Sequence, residues 1–307
     1  MIRGGAGDKP ARRPGLGRAA RPAAAAVVTA GILALLLVRR RDAAGSLAEA
    51  LHRVAASDSR NSPLTAFGTR FYDAAVLAHS DKVSAPGKHP DHQFELLYQK
   101  YMWQLPRGAP LRVLEFNAGC SNLTRAPDGA SIELWRTLFP AALISSIEPD
   151  EACAARFRGA LEATGGAAYV GSQADPALVD SIVEASKKQG QFDLIIDDDK
   201  DRSPAGELAA LHGLWPALRP GGVYVVESLP TSHQPGMSSS SGASGGIAPF
   251  IRQAIDDLEC SSDTALVDPA WQAYCGRPEY VQGITRSFAA VECCTDACAI
   301  VKRRAPR

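Results

Sequence analysis

From residue 111 onward, short apolar runs alternate with longer stretches whose apolar residues recur every third or fourth position. The runs predict strands over 111–116, 142–147, 168–170, 192–196 and 222–226. The stretches between them predict helices. One covers 131–139, where Ile132, Leu134, Trp135 and Leu138 are apolar, and a second runs from Asp150 to about 161. A third opens at Asp175-Pro176, and a fourth runs from Ser203-Pro204 to about 218. Asp150, Asp175 and Ser203 suit helix caps, because a short side-chain oxygen accepts from amides that the first turn leaves unpaired. Proline directly after two of them fits a first turn. Strands separated by helices in this way imply βαβ units and a parallel sheet.

The carboxyl end breaks the pattern. Apolar runs at 287–293 and 297–302 are separated only by Cys294-Thr295-Asp296. So short a link cannot cross a sheet, so the two form an antiparallel hairpin. Upstream, Phe94, Leu97, Tyr98 and Tyr101 fall at helical spacing and predict a helix packed on the sheet. The expected fold is α/β: a mostly parallel, seven-stranded sheet with helices on both faces and a C-terminal antiparallel hairpin. The globular domain is expected over 92–307, with a Ser/Gly-rich insert at 229–249 that reads as flexible or as a lid, and His233 within it.

Charge changes the picture at the amino end. Residues 1–41 hold nine of the 33 basic residues but one of the 33 acids, Asp8, so the remainder carries eight more acids than bases. That balance argues against a nucleic-acid partner, which needs a basic face. Arg12, Arg13, Arg18 and Arg21 precede an unbroken apolar run over 23–38, and Arg39, Arg40 and Arg41 close it. Sixteen residues fall just short of the roughly 17–25 that span a bilayer, a deficit that snorkelling arginines make up. The favoured reading is an uncleaved membrane anchor with a cytoplasmic amino terminus; an organelle transit peptide is the alternative. Residues 42–91 read as a helical stalk, or as accessory helices, with a linker. The segment holds a helix over 43–56 (Leu47, Leu51, Val54) and a polar linker over 80–90, with His89 and nearby His92 solvated.

The candidate chemistry gathers where the strands end. Val113 and Leu114 lead to Glu115 and then to Asn117-Ala-Gly119-Cys-Ser121, small residues that let a ligand approach the backbone. Glu148 ends the second strand, Gly171-Ser-Gln173-Ala-Asp175 follows the third, and Asp197-Asp198 and Glu227 end the fourth and fifth. Taken in order with the terminal hairpin, these stretches resemble the class I S-adenosylmethionine-dependent methyltransferases, with a Rossmann-like sheet. The resemblance implies that Glu115, Asn117, Gly119 and Asp197 line the cofactor. It implies that Glu148 accepts the ribose hydroxyls, a task suited to a carboxylate's paired acceptors, and that Gln173 and Asp175 lie by the adenine. Asn117 stands where the family has glycine, and asparagine tolerates a left-handed backbone better than most residues.

A narrower resemblance, to macrolide-sugar O-methyltransferases with an Ile-Asp-Asp-Gly-x-His motif, rests on 129–135, Gln173-Ala-Asp175 and Ile196-Asp-Asp-Asp199. It implies a magnesium ion held by Asp197, Asp198 and Glu227, with Asp197 and Asp201 catalytic and a small molecule or sugar as acceptor. This chain departs from the motif. Asp199, Lys200 and Asp201 replace Gly-x-His, and Ser228 replaces an acid. The departures keep a second hypothesis open, a catalytically silent module of the same fold tethered to a membrane. A nicotinamide-binding reading is third, because the first loop lacks Gly-x-Gly-x-x-Gly. The seven cysteines show no zinc-type spacing; Cys260 and Cys275 could pair, while packing is the first reading for Cys294 and Cys298. The oligomeric state is not legible.

Overall fold

Successive side chains of a strand point to opposite faces, and the central strands of this sheet are apolar on both. The computed structural model describes residues 70–83, 92–103, 105, 110–118, 120, 127–198, 204–227, 229 and 246–304. These belong to one compact unit, Pro63–Arg307. The anchor run at 23–38, the helix expected over 43–56, His89 and His233 lie outside the described residues.

The elements follow the expected order. Helices α1 (Arg70–Leu77) and α2 (Glu95–Trp103) lead to β1 (Arg112–Phe116), α3 (Ala130–Leu138), β2 (Leu143–Glu148), α4 (Glu151–Glu162), β3 (Ala168–Val170) and α5 (Pro176–Gln189). Then come β4 (Phe192–Asp197), α6 (Pro204–Leu214), β5 (Leu218–Val226), α7 (Ile247–Leu258), three short α-helices flanked by two 3₁₀ turns, β6 (Phe288–Cys294) and β7 (Ala297–Lys302). The seven strands lie in the order β3-β2-β1-β4-β5-β7-β6. The first five are parallel, β7 runs antiparallel to β5, and β6 pairs antiparallel with β7. Strand β5 begins earlier than expected, at Leu218. Gly221 takes φ 78° within it, and a register shift against β4 absorbs the Arg-Pro-Gly-Gly turn.

Strand parity builds two cores. Val113, Ile144, Leu194, Ile196, Val223 and Val225 face one layer together with Trp135, Tyr98 and Phe71. Leu114, Phe116, Ile195, Tyr224 and Val226 face the other, against residues of α5, α6 and α7. Two of the three expected caps form: Asp150 accepts from the Cys153 amide and Asp175 from the Ala177 amide, each at 3.0 Å, while Ser203 lies outside the described residues.

The folded unit starts before the boundary expected at His92. Phe71, Ala74, Ala75 and Ala78 fall on one face of α1 and its end, and all are buried. Phe71 stacks on Tyr98, ring centroids 4.8 Å apart. Ser80, Lys82 and Val83, expected in a polar linker, are buried as well, and Val83 bridges to Gln93. The insert's expected end at 249 also moves, because 247–249 open α7. Among the described residues no helix is long and apolar enough to cross a membrane.

Candidate functional site

The strand order reverses between β1 and β4, and in open parallel sheets the crevice outside the carboxyl ends of such a pair is where ligands bind. Asn117 follows β1 with φ 55°, the left-handed backbone its side chain tolerates. Its backbone amide donates to Ile147 O at 2.9 Å, and its side-chain amide donates to Asp198 O at 3.4 Å. Gly119 lies outside the described residues. Just beyond it, Cys120 forms a disulfide with Cys153 in the first turn of α4, joining the segments that leave β1 and β2.

Glu148 ends β2 and is 5% exposed. Its Oε1 accepts from the Asp150 amide at 3.3 Å, while Oε2 is buried with no hydrogen-bond partner among the described residues. Burial raises its pKa above the usual glutamate range, opposed by the Asp150 amide. A buried, unsatisfied carboxylate oxygen is costly unless a ligand completes it. Gln173 is buried beyond β3, whereas Asp175 is exposed and its carboxylate caps α5.

The acids at the strand ends do not gather as one set. Parity sends Asp197 toward the second core, where it is 1% exposed and the Tyr224 hydroxyl donates to its Oδ2 at 3.1 Å. Glu115, Asp198 and Glu227 point to the opposite face and meet a lysine. Lys82 Nζ lies 2.9 Å from Glu115 Oε1, 2.7 Å from Glu227 Oε2 and 3.5 Å from Asp198 Oδ2. Ser131 Oγ and Trp135 Nε1 also donate to Glu115, at 2.8 and 2.6 Å, and the Tyr98 hydroxyl donates to Glu227. Glu115 is 0% exposed. Its oxygens thus serve α3 and Lys82 rather than the cofactor face expected of it.

Lys82 reaches the cluster through the end of α1. The Ser80 amide donates to Ala75 O and the His79 amide to Val76 O, a Schellman-type cap with His79 at φ 55°. Lys82 is 1% exposed. Burial is the largest influence on its ammonium and pulls the pKa down, but Glu115, Glu227 and Asp198 together push it well above the usual lysine range. Burial pushes Glu227 up to about 8 against the pull of Lys82. Asp198 and Glu115 add to the upward push on Glu227. Burial, then Glu227, raise the Tyr98 hydroxyl.

No protein-family model matches the chain. It is 30% identical over 179 residues to an 8-demethyl-8-(2-methoxy-alpha-L-rhamnosyl)-tetracenomycin-C 3'-O-methyltransferase of Streptomyces olivaceus, covering 57% of this chain and 42% of that protein. It is 27% identical over 218 residues to a mycinamicin VI 2''-O-methyltransferase of Micromonospora griseorubida, covering 68% and 51%. The chain thus spans about half the length, or less, of these curated relatives. Among solved structures, the MycE methyltransferase of the mycinamycin pathway, in complex with Mg, SAH and mycinamycin VI, superposes with TM-score 0.58. The identity is 20%, over 77% of this chain and 54% of that one. The fold is the Rossmann-like methyltransferase fold.

Within that fold, Glu148 fits a ribose-binding acid by its place and its unsatisfied oxygen. A divalent ion fits less well. Magnesium holds oxygens at about 2.0–2.1 Å in near-octahedral array, and the space between Asp198 and Glu227 contains the Lys82 ammonium. Asp197, expected as a third ligand, faces the other layer. Asp199, Lys200, Asp201 and Ser228 lie outside the described residues, so the structure does not bear on the Ile-Asp-Asp-Gly-x-His comparison there. Lys82 is the participant that sequence reasoning missed. The signal for it was the helical spacing of Phe71, Ala74, Ala75 and Ala78, which marks the preceding segment as part of the domain.

Proposed function

We propose that this chain is an S-adenosylmethionine-dependent methyltransferase that methylates a hydroxyl of a small molecule or sugar. The observation that carries the reading is Glu148, a buried carboxylate with one unmatched oxygen at the end of β2, beside the point where the strand order reverses. The named activities of the relatives support it. Bound S-adenosylmethionine supplies a sulfonium-activated methyl group, which passes to the acceptor oxygen while the C–S electrons stay on sulfur. Alignment does most of that work. Glu148 orients the ribose, Gln173 lies by the adenine, and Asn117, left-handed after β1, lets the backbone come close. Asp201, which stands in the chain where the resembled motif has its histidine, is the candidate to take the acceptor proton.

Calorimetric titration with S-adenosylhomocysteine tests the cofactor half. Glu148→Ala weakens binding by about 1.5–3 kcal/mol, the scale of a hydrogen bond to a charged group; unchanged affinity with the fold intact removes Glu148 from the site. Transfer of a labelled methyl group to sugar-bearing acceptors tests the rest. One observation favours a silent binding module instead: Glu115, Glu227 and Lys82 are sealed from solvent. Tight S-adenosylhomocysteine binding with no transfer to any acceptor would favour that module. We also propose that residues 23–38 tether the chain to a membrane and place the domain in an oxidising lumen. Three disulfides, Cys120–Cys153, Cys260–Cys275 and Cys293–Cys298, support the lumenal side.

A further inference from the structure

Three carboxylates from three strands converge on one buried point, and such a set repels itself unless a cation intervenes. Glu115 comes from β1, Asp198 follows β4 and Glu227 follows β5. The cation is already covalently part of the chain. Lys82 Nζ sits 2.7–3.5 Å from all three acids. Its arrival is built in: the Schellman-type turn ending α1 directs it inward, and Phe71 of α1 stacks on Tyr98, whose hydroxyl also donates to Glu227. Lys82 and Glu227 are each 1% exposed, while Asp198 is the member that solvent reaches, its side chain 11% exposed.

We propose that the Lys82 ammonium is the permanent cation of this acid cluster, so that the protein takes up no divalent ion there and Lys82 acts as a positioning residue for Asp198. A divalent ion would have to occupy the point that Nζ fills. Asp198 is tied from two sides, its carboxylate to Lys82 and its backbone oxygen to the Asn117 side chain. Lys82 thereby links the β4 end of the crevice to the loop that leaves β1. The inference rests on the proposed function only in taking that crevice as the ligand site.

Manganese titration of the full chain, read by the spin-resonance signal of free Mn²⁺, tests it. The wild type leaves Mn²⁺ free. Lys82→Ala binds one Mn²⁺ per chain and gains thermal stability from it, and Lys82→Ala/Glu227→Gln loses both effects. A wild type that binds one Mn²⁺, with the binding abolished by Asp198→Asn, overturns the proposal. So does a folded Lys82→Ala that binds none. Should Lys82→Ala fail to fold, the wild type still decides. Its affinity for S-adenosylhomocysteine stays within twofold between EDTA and Mn²⁺, whereas a tenfold loss in EDTA overturns the inference. Absence of S-adenosylhomocysteine binding under both conditions sinks the methyltransferase reading and leaves the manganese result to judge the cation.

Discussion

At the scale of single residues, Glu148 and Lys82 show opposite answers to burying charge. Lys82 has three acids around it, whereas Glu148 has one backbone donor and a pKa raised by burial. A raised carboxyl pKa means that the folded state binds the proton more tightly than the unfolded chain. This group therefore favours the fold at low pH, a contribution lost as pH rises through its folded value. Ligand binding runs the other way, because a protonated carboxyl offers fewer acceptors to ribose hydroxyls. Affinity for S-adenosylhomocysteine is therefore expected to fall on acidification, from a pH above the ordinary glutamate range, before the protein unfolds. Glu148→Gln binds weakly with a flat profile, and calorimetry across pH checks both. Asn117 was legible in the sequence because left-handed tolerance is a property of the residue itself. Lys82 was not, because its burial depends on partners 33 to 145 positions away.

At the scale of elements, periodicity located all seven strands, since each is an apolar run bounded by turns. Parity within those runs was also present but went unused: Asp197 and Asp198 are neighbours and so face opposite layers. Accessory helices were expected somewhere in 42–91, but α1 was not delimited or assigned to the domain, because no strand precedes it to set the alternation. Its packing yields a sharp expectation. A chain starting at Pro63 should unfold cooperatively, whereas one starting at His92 lacks Phe71 and Lys82 and leaves buried carboxylates uncompensated. Losing one partner of a buried pair costs about 3–5 kcal/mol, so the shorter chain should show no cooperative thermal transition. The Cys120–Cys153 bridge joins the segments after β1 and β2 across 33 residues. Cys153→Ser should lower stability by roughly 2–4 kcal/mol, read by denaturant titration, and weaken S-adenosylhomocysteine binding, because both tied segments border the ligand crevice.

At the scale of the whole molecule, the proposed tether and the lumenal side proposed for the domain are open to direct tests. Under that proposal the arginine-bounded run at 23–38 is the tether, and the domain with its three disulfides lies on the oxidising side. Carbonate extraction is expected to leave the full-length chain with the membrane, and its release uncleaved would count against the tether. The domain is expected to be shielded from added protease until the membrane is opened, with its thiols largely blocked to alkylation before reduction. Among the described cysteines Cys294 alone is a free thiol, and it is the direct neighbour of bridged Cys293. Disulfide exchange begins with a thiolate, and burial pushes Cys294 up to about 11. Only roughly 10⁻⁴ of it is ionised at pH 7. The hairpin therefore carries a saboteur of its own covalent pattern, kept dormant by proton affinity and by strand parity, which turns the Cys294 sulfur to the face opposite the Cys293–Cys298 bridge. Scrambled isomers should accumulate slowly at neutral pH, speed up about tenfold with each alkaline pH unit, and vanish in Cys294→Ala.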